Sequence, residues 1–399
     1  MSEMTATRIR RGGTYLVVAV LWLVAAWLLW RTSVPAGLHP PHFDAARAFG
    51  ADLLRRTARY ERVLPWLWVL ATLLELAALA LVARRPPVVG RRRIPAGLLA
   101  AAVAVAAAWV VVLPVGAVAH WWARDHGVVR QSWMGWLTGR LVGLATQGAA
   151  VLLGVALVMW LAARLGRRWW IAAAPLLGLC GLLVTFLLPY EATLGTSPAP
   201  ARVVADAREL ARRQGVSPPP IRIESVRRRT SAENAQAVGL GPTRRILVTD
   251  TLLRDASARE LRFALAHELA HLRQRHLWKG VAWFALLVLP ACLLIELATR
   301  RRGGPGEPRA VPLALLVVAL VQLALLPLTN AISRRYEAEA DWVAVETTRD
   351  PAAARGLFAG FARTSLQQPD PPAWAHVLLD DHPTLLQRVE QAEAWRARG

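Results

Sequence analysis

The chain has 399 residues, of which 55% are hydrophobic, and a mean hydropathy of +0.34. This composition is typical of a membrane protein and argues against an ordinary soluble globular fold. The net charge of +21 comes almost entirely from arginines spread over nearly every polar segment, and no basic and aromatic binding module occurs, so nucleic acid is not an expected partner. Cys180 and Cys292 both lie in apolar runs, which argues against a disulfide framework or a cysteine metal site.

Seven apolar runs approach the length of about 20 residues that a helix needs to cross a bilayer. The first run follows a cluster of arginines and is longer than the apolar part of a usual signal peptide, so we interpret it as a membrane anchor. The sequence therefore predicts a mainly α, polytopic protein with about seven transmembrane helices in the lipid bilayer. The seven runs are residues 14–30, 64–83, 94–119, 141–163, 169–189, 280–298 and 311–332.

Two polar segments, 190–279 and 333–399, are longer than connectors need to be, and we expect them to fold together as one small α+β domain. In the first segment, periodicity predicts a helix over 202–214 and strands over 221–226 and 245–249. A capping box predicts a second helix that begins at Ser257, with Glu260 three residues on, and that continues through Trp278 into the sixth span. The chain is therefore predicted to begin with a membrane region of five spans, 1–189, followed by the first part of the domain, 190–279. Two further spans, 280–332, and the second part of the domain, 333–399, complete it.

The second predicted helix carries the run His267-Glu268-Leu269-Ala270-His271. Residues four apart share one face of a helix, so both imidazoles can bind one zinc ion. Glu268 lies one step round the helix, where it can act as general base without being a ligand. His276 is expected to be an interfacial residue, since the glycine and the third histidine of the metzincin pattern are missing.

A third protein ligand is expected downstream, and a carboxylate suits it. The run from Tyr336 to Asp341 follows the seventh span directly and holds three acids. Glu337 and Asp341 share one helical face, so one helix can supply a ligand and an acid that orients a histidine. Glu339 lies about 200° round the helix from Glu337 and is expected to face away from the metal.

With these motifs in this order, the chain resembles the integral-membrane gluzincins, the family of zinc proteases that includes the type I CAAX prenyl endopeptidase and the bacterial protease HtpX. The resemblance extends from about Trp121 to Arg388, and the seven spans are more similar to the CAAX protease form. The matching elements are 124–136, Asn234-Ala235 through Gly239, 245–253, 267–276, 330–337 with Asp341, and Asp381-His382-Pro383 leading to Arg388.

The resemblance implies a zincin-like catalytic domain and peptide-bond hydrolysis with one zinc ion per chain. It implies that His267, His271 and Glu337 bind the metal, that Glu268 is the base and that Asp341 orients a ligand. It further implies that His382 stabilises the oxyanion, and that substrate is bound by Asn234, Ala235 and Arg388.

Several functional alternatives stay open at this point. The substrate is expected to be a peptide or a membrane protein, processed either at a CAAX-type C-terminus or in membrane-protein quality control. A protease-type membrane sensor and a noncatalytic scaffold are alternatives from other classes. Glu75, inside the second span, either lines an internal chamber or is paired within the membrane, and Glu296 is expected to pair with Arg300.

The side of the membrane that the site faces also stays open. Arginines are more frequent in the N-terminal segment and in the loops after the second, fourth and sixth spans than in the opposite loops, which predicts a cytoplasmic N-terminus and an exterior catalytic domain. The family resemblance implies a site that faces the cytosol.

Overall fold

The computed structural model describes residues 19–87 and 90–398, and within this part of the chain every predicted span coincides with a helix. Five apolar helical segments are long enough to cross a membrane, and one of them, residues 133–192, comprises two helices joined by a turn at 166–168. The N-terminal arginines and residues 14–18 of the first predicted span lie outside the described residues. The predicted mainly α, polytopic fold is confirmed. The helices at the spans are α1 (Ala19–Trp30), α4 (Leu64–Arg84), α5 (Arg93–Asp125), α6 (Trp133–Leu165), α7 (Trp169–Ala192), α11 (His276–Thr299) and α12 (Val311–Thr348).

The remaining helices belong to the polar segments and to the connection that follows α1. They are α2 (Ala45–Phe49), α3 (Ala51–Glu61), α8 (Ala201–Gln214), α9 (Asp250–Asp255), α10 (Ala258–Arg273), α13 (Pro351–Thr364), α14 (Ala373–Leu379) and α15 (Leu385–Arg396).

A four-stranded sheet lies in the first polar segment, with the strand order β1-β2-β4-β3. The strands are β1 (Ser197–Pro198), β2 (Ile221–Glu224), β3 (Ala235–Val238) and β4 (Arg245–Thr249). β2 and β4 are parallel, and the other two pairs are antiparallel, so β3 forms an edge of the sheet. The turn after β3 requires glycine at Gly239, where φ is +85° and a Cβ atom would lie 2.4 Å from Pro189.

One hydrophobic core contains residues from both polar segments. The ring of Phe263 on α10 meets that of Phe358 on α13 edge to face, with centroids 5.8 Å apart. Val248 of β4 and Leu385 of α15 are buried in the same core. This packing brings the two parts of the chain, separated in sequence by α11 and the first half of α12, against each other.

Two local expectations differ from the structure. The helix with the histidine motif does not continue into the sixth span, because Arg275 adopts a left-handed conformation (φ 57°) and α11 begins afresh at His276. Glu296 does not pair with Arg300: its carboxylate accepts a hydrogen bond from the Trp169 indole at 2.8 Å and lies 3.7 Å from the Arg167 guanidinium. The charge of the Glu296 carboxylate is thus balanced by Arg167 in the turn between α6 and α7, and not by Arg300.

Candidate metal centre

Helix α10 begins at the expected capping box. The Ser257 hydroxyl accepts a hydrogen bond from the Glu260 amide, and the Glu260 carboxylate accepts one from the Ser257 amide at 2.7 Å. The helix is buried over most of its length. It packs against the part of α12 that extends beyond the seventh span. Because both helices are fixed in the core, the side chains that they present to each other have defined positions.

Three potential ligand atoms converge between these two helices. The Nε2 atoms of His267 and His271 are 3.0 Å apart, and they lie 3.1 and 3.4 Å from the two carboxylate oxygens of Glu337. All three side chains can offer one ligand atom within 4.8 Å of the others. Oε2 of Glu337 is buried and accepts no hydrogen bond among the described residues.

This arrangement fits a divalent cation of the zinc type. Two imidazole nitrogens that face each other, beside a buried carboxylate oxygen without a well-formed hydrogen bond, are poorly satisfied by protein groups alone. Two nitrogens and one oxygen are a usual protein donor set for catalytic zinc. We conclude that His267, His271 and Glu337 could hold a metal ion.

The imidazole of His267 is oriented from behind by an acid. Its Nδ1 lies 2.8 Å from Oδ1 of Asp341, so Nε2 is left free to face the cluster. Burial raises the pKa of Asp341, but the Arg388 guanidinium and the His267 imidazole together lower it more, so the pKa lies below its ordinary value.

Arg388 occupies a different place from the one expected of a substrate-binding residue. It is 6% exposed, and it donates two hydrogen bonds to the Asp341 carboxylate, at 2.7 and 2.8 Å. Its guanidinium also stacks over the Phe358 ring at 4.3 Å. Both contacts turn Arg388 away from the cavity and toward the support of Asp341.

Glu268 lies beside the ligand cluster and faces the edge strand. Its Oε2 accepts a hydrogen bond from the Ala237 amide of β3 at 2.6 Å. Burial is the main cause that raises the pKa of this carboxyl above its ordinary value. A buried acid at this position can exchange a proton with a molecule in the adjacent cavity.

His382 approaches the cluster from the connection between α14 and α15. Its Nε2 lies 3.2 Å from Oε2 of Glu337, and its Nδ1 is 2.7 Å from Oδ1 of Asp381. Burial lowers the pKa of His382, but the carboxylates of Asp381 and Glu337 raise it more, so the net shift is upward. The imidazole can therefore present an N–H group toward the cavity.

A cavity of about 940 Å³ connects these groups with the membrane region. Its polar end is lined by the ligand cluster, Glu268, His382 and the strand residues Asn234 and Ala235. Its other end extends between α7, α11 and α12, where apolar side chains such as Trp283 and Leu325 form the walls. Gln322 lines this part, whereas Glu75 is not among the residues that do. The structure thus brings the expected ligands, Glu268, His382 and the strand residues to this cavity. Asp341 lies behind His267, as expected of an acid that orients it, and Arg388 lies behind Asp341.

Two residues contact the centre that the sequence did not identify. His276, expected at the membrane interface, is buried with its Nδ1 3.0 Å from Nδ1 of His271. Glu339 does face away from the metal cluster, as expected, but its Oε2 lies 2.9 Å from Nε2 of His276. Helical spacing cannot reveal the contact of His276 with His271, because it depends on the break between α10 and α11 at Arg275.

Several known proteins are similar to this chain. The model of peptidase family M48 matches residues 199–396. The protease HtpX homologue of Acaryochloris marina is 30% identical, over 51% of this chain and 75% of its own length. The uncharacterised metalloprotease YhfN of Bacillus subtilis is 26% identical, over 71% of this chain and 70% of its own length.

The fold also has a solved counterpart. The crystal structure of S. mikatae Ste24p superposes with a TM-score of 0.74 at 17% sequence identity, and covers 94% of this chain and 97% of that one. This likeness extends over the membrane helices as well as the domain that holds the candidate site. The chain therefore belongs to peptidase family M48 and is a multi-pass membrane metalloprotease.

Proposed function

We propose that the protein is a zinc endopeptidase in which His267, His271 and Glu337 hold one metal ion. The observation that carries this proposal is the convergence of their three ligand atoms within 4.8 Å at the polar end of the cavity. When bound, zinc supplies Lewis acidity that polarises a carbonyl oxygen and acidifies water. We further propose that the segments 190–279 and 333–399 together form the catalytic domain, since one core joins them.

The chain's own groups supply the proton transfers. As water adds to the scissile carbonyl carbon, the Glu268 carboxylate takes its proton, and it returns that proton to the amide nitrogen as the carbon–nitrogen bond breaks. The Nε2–H group of His382 donates a hydrogen bond to the carbonyl oxygen as negative charge develops there. Asp381, 2.7 Å from Nδ1, keeps that imidazole turned toward the reacting carbonyl.

Substrate is proposed to bind along the free edge of β3. The Asn234 carbonyl accepts a hydrogen bond from Thr249 of β4, so strand alternation turns the amide and carbonyl of Ala235 to the opposite edge, toward the cavity. An extended peptide can add to this edge by main-chain hydrogen bonds. Asn234 and Ala235 are thus retained as substrate-binding residues, and Arg388 is reassigned to holding Asp341.

The apolar end of the cavity supports a substrate that carries an apolar group or segment beside the scissile bond. A C-terminal peptide with a CAAX-type prenyl group satisfies this requirement, and so does an unfolded segment of a membrane protein, as in quality control. The two substrate classes are separated by measuring hydrolysis of three substrates. These are a prenylated C-terminal peptide, the same peptide without the prenyl group, and an unfolded membrane protein.

The test of the proposed chemistry compares two adjacent positions of one helix. His267→Ala is expected to lose bound zinc, whereas Glu268→Gln should keep zinc and hydrolyse an unfolded protein substrate roughly 10² to 10⁴ times more slowly. Zinc content and hydrolysis are measured on the same purified samples. Equal loss of zinc in both variants would remove Glu268 from the role of base.

A further inference from the structure

We propose that His276 and Glu339 form a relay that fixes the orientation and the tautomer of the metal ligand His271. The inference rests on the proposed metal site and concerns how one of its ligands is positioned. Nδ1 of His267 meets the Asp341 carboxylate, whereas within residues 19–87 and 90–398 no carboxylate or carbonyl oxygen is hydrogen-bonded to Nδ1 of His271. In its place is a second imidazole, that of His276, with a carboxylate behind it.

The hydrogen positions in this series of contacts can be assigned one by one, beginning at Nε2 of His271, which faces the ligand cluster. If Nε2 of His271 offers its lone pair to a cation, its Nδ1 must carry the hydrogen. Among the described residues, the acceptor of that N–H group is Nδ1 of His276, at 3.0 Å, so the hydrogen of His276 must be on Nε2. From there it is donated to Oε2 of Glu339 at 2.9 Å. A carboxylate therefore determines the tautomer of both histidine ligands, directly for His267 and through one imidazole for His271.

Glu339 is itself held as an anion by the surrounding elements. It is 1% exposed, its Oε1 accepts a hydrogen bond from the Ser33 amide at 2.5 Å, and Lys279 lies 3.6 Å from Oε2. Ser33 lies three residues beyond the end of α1 at Trp30, so the segment that leaves this helix contacts the carboxylate. The relay thus connects the first span to the metal site.

The imidazole of His276 is also held in its plane. It is 5% exposed and stacks on the Tyr336 ring, with centroids 4.6 Å apart and planes 10° from parallel. The Tyr336 hydroxyl donates to the carbonyl of Leu29 in α1 at 2.6 Å and accepts from the Trp283 indole at 2.9 Å. These contacts leave His276 one orientation, in which its two nitrogens bridge His271 and Glu339.

The test measures metal affinity by cobalt titration of metal-free protein, since the visible absorption of bound Co²⁺ also reports its coordination geometry. His276→Ala and Glu339→Ala are each expected to weaken binding about 10- to 100-fold, as loss of a group that orients a ligand does. The double variant should bind no more weakly than His276→Ala, because the two residues act through one path. In contrast, Glu339→Ala and Asp341→Ala should combine multiplicatively, because they act on different histidines.

Conservative variants separate positioning from a general structural role. His276→Asn keeps an acceptor near His271 and should recover most of the cobalt affinity, and in that background Glu339→Ala should have little further effect. Glu346→Ala, at an exposed acid of the same helix, is the matched control and should bind cobalt like the wild type. Thermal unfolding of the metal-free samples reports any loss of fold.

The outcomes distinguish the relay from the metal site on which it rests. Wild-type cobalt affinity in both His276→Ala and Glu339→Ala, with binding lost in His267→Ala, would overturn the relay and leave the proposed ligands intact. Normal binding in His267→Ala would instead show that the ligand set is wrong. Should the alanine variants fail to fold, the relay is overturned if His276→Asn binds cobalt as weakly as His267→Ala.

Discussion

Glu233 is a buried acid outside the metal centre, in the loop that enters the edge strand. It is 8% exposed, and burial is the main cause that raises the pKa of its carboxyl from 4.5 to about 7. Asp255 and Glu260 raise the pKa further, while Arg363 and a hydrogen bond with Thr364 lower it. The folded protein therefore retains a proton that the unfolded chain has already lost in the range between these two values.

This shift predicts that stability falls as pH rises. The contribution of protonated Glu233 is complete below pH 4.5 and is lost as pH rises through 7, a change of at most about 3 kcal/mol. Glu233→Gln cannot ionise, so the variant should melt at a higher temperature than the wild type at pH 8 and show a smaller decline between pH 5 and pH 8. Thermal unfolding of the detergent-solubilised protein at both values measures this. An equal decline in the two proteins would assign the pH dependence to other groups.

Some positions in the metal centre follow from the sequence, and others depend on how distant elements pack. The positions of His267, His271 and Glu268 relative to one another follow from helical spacing alone, since one helix holds all three. The contact of Glu337 with that cluster depends on how α12 docks on α10, so helical spacing offered both Glu337 and Asp341, and the resemblance to a family implied Glu337 as the ligand. The buried position of His276 depends on the left-handed conformation of Arg275. The contact of Arg388 with Asp341 depends on how α15 packs, and neither arrangement follows from helical spacing.

Among the secondary-structure elements, β3 and β4 are short, yet β4 was predicted at its observed bounds because Arg245–Thr249 is a hydrophobic run with β-branched residues between turn signals. The end of β2 was less predictable. The strand stops at Glu224, since the Asp250 carboxylate accepts hydrogen bonds from the amides of Val226 and Arg227 at 2.9 and 3.0 Å. Such a capture by a residue distant in sequence leaves no local signal.

The exposed edge of β3 supports a prediction about substrate affinity. Ala235→Pro removes an amide hydrogen that faces the cavity, and an edge strand tolerates proline where that hydrogen is not part of the ladder. We expect KM for a peptide substrate to rise about 5- to 10-fold, the equivalent of one lost hydrogen bond, with zinc content unchanged. Ala235→Val keeps the amide and is the matched control. An unchanged KM in the proline variant would argue against strand addition at this edge.

Among the short loops that join the membrane helices, arginines are concentrated at the end opposite the candidate metal centre. The loops there are joined to one another by contacts such as Arg93 with Glu307 at 3.2 Å, and Arg302 with the carbonyl of Ala83 at 2.6 Å. The connections at the other end, 31–63 and 120–140, contact the catalytic domain and hold fewer arginines over a longer stretch. The arginines at the opposite end are Arg84, Arg85, Arg91, Arg92, Arg93, Arg164, Arg167, Arg168, Arg300, Arg301, Arg302 and Arg309.

Since loops rich in arginine stay on the cytoplasmic side, this distribution predicts that the catalytic domain faces the exterior. Single cysteines test it after the native Cys180 and Cys292 have been replaced. Arg212→Cys, on an exposed position of α8, should react with a membrane-impermeant maleimide in intact cells. Arg301→Cys, beyond the end of α11, should react only after lysis. The reverse pattern would place the metal centre in the cytosol, as the resemblance to the CAAX protease implies, and would show that the arginine bias does not set the orientation of this chain.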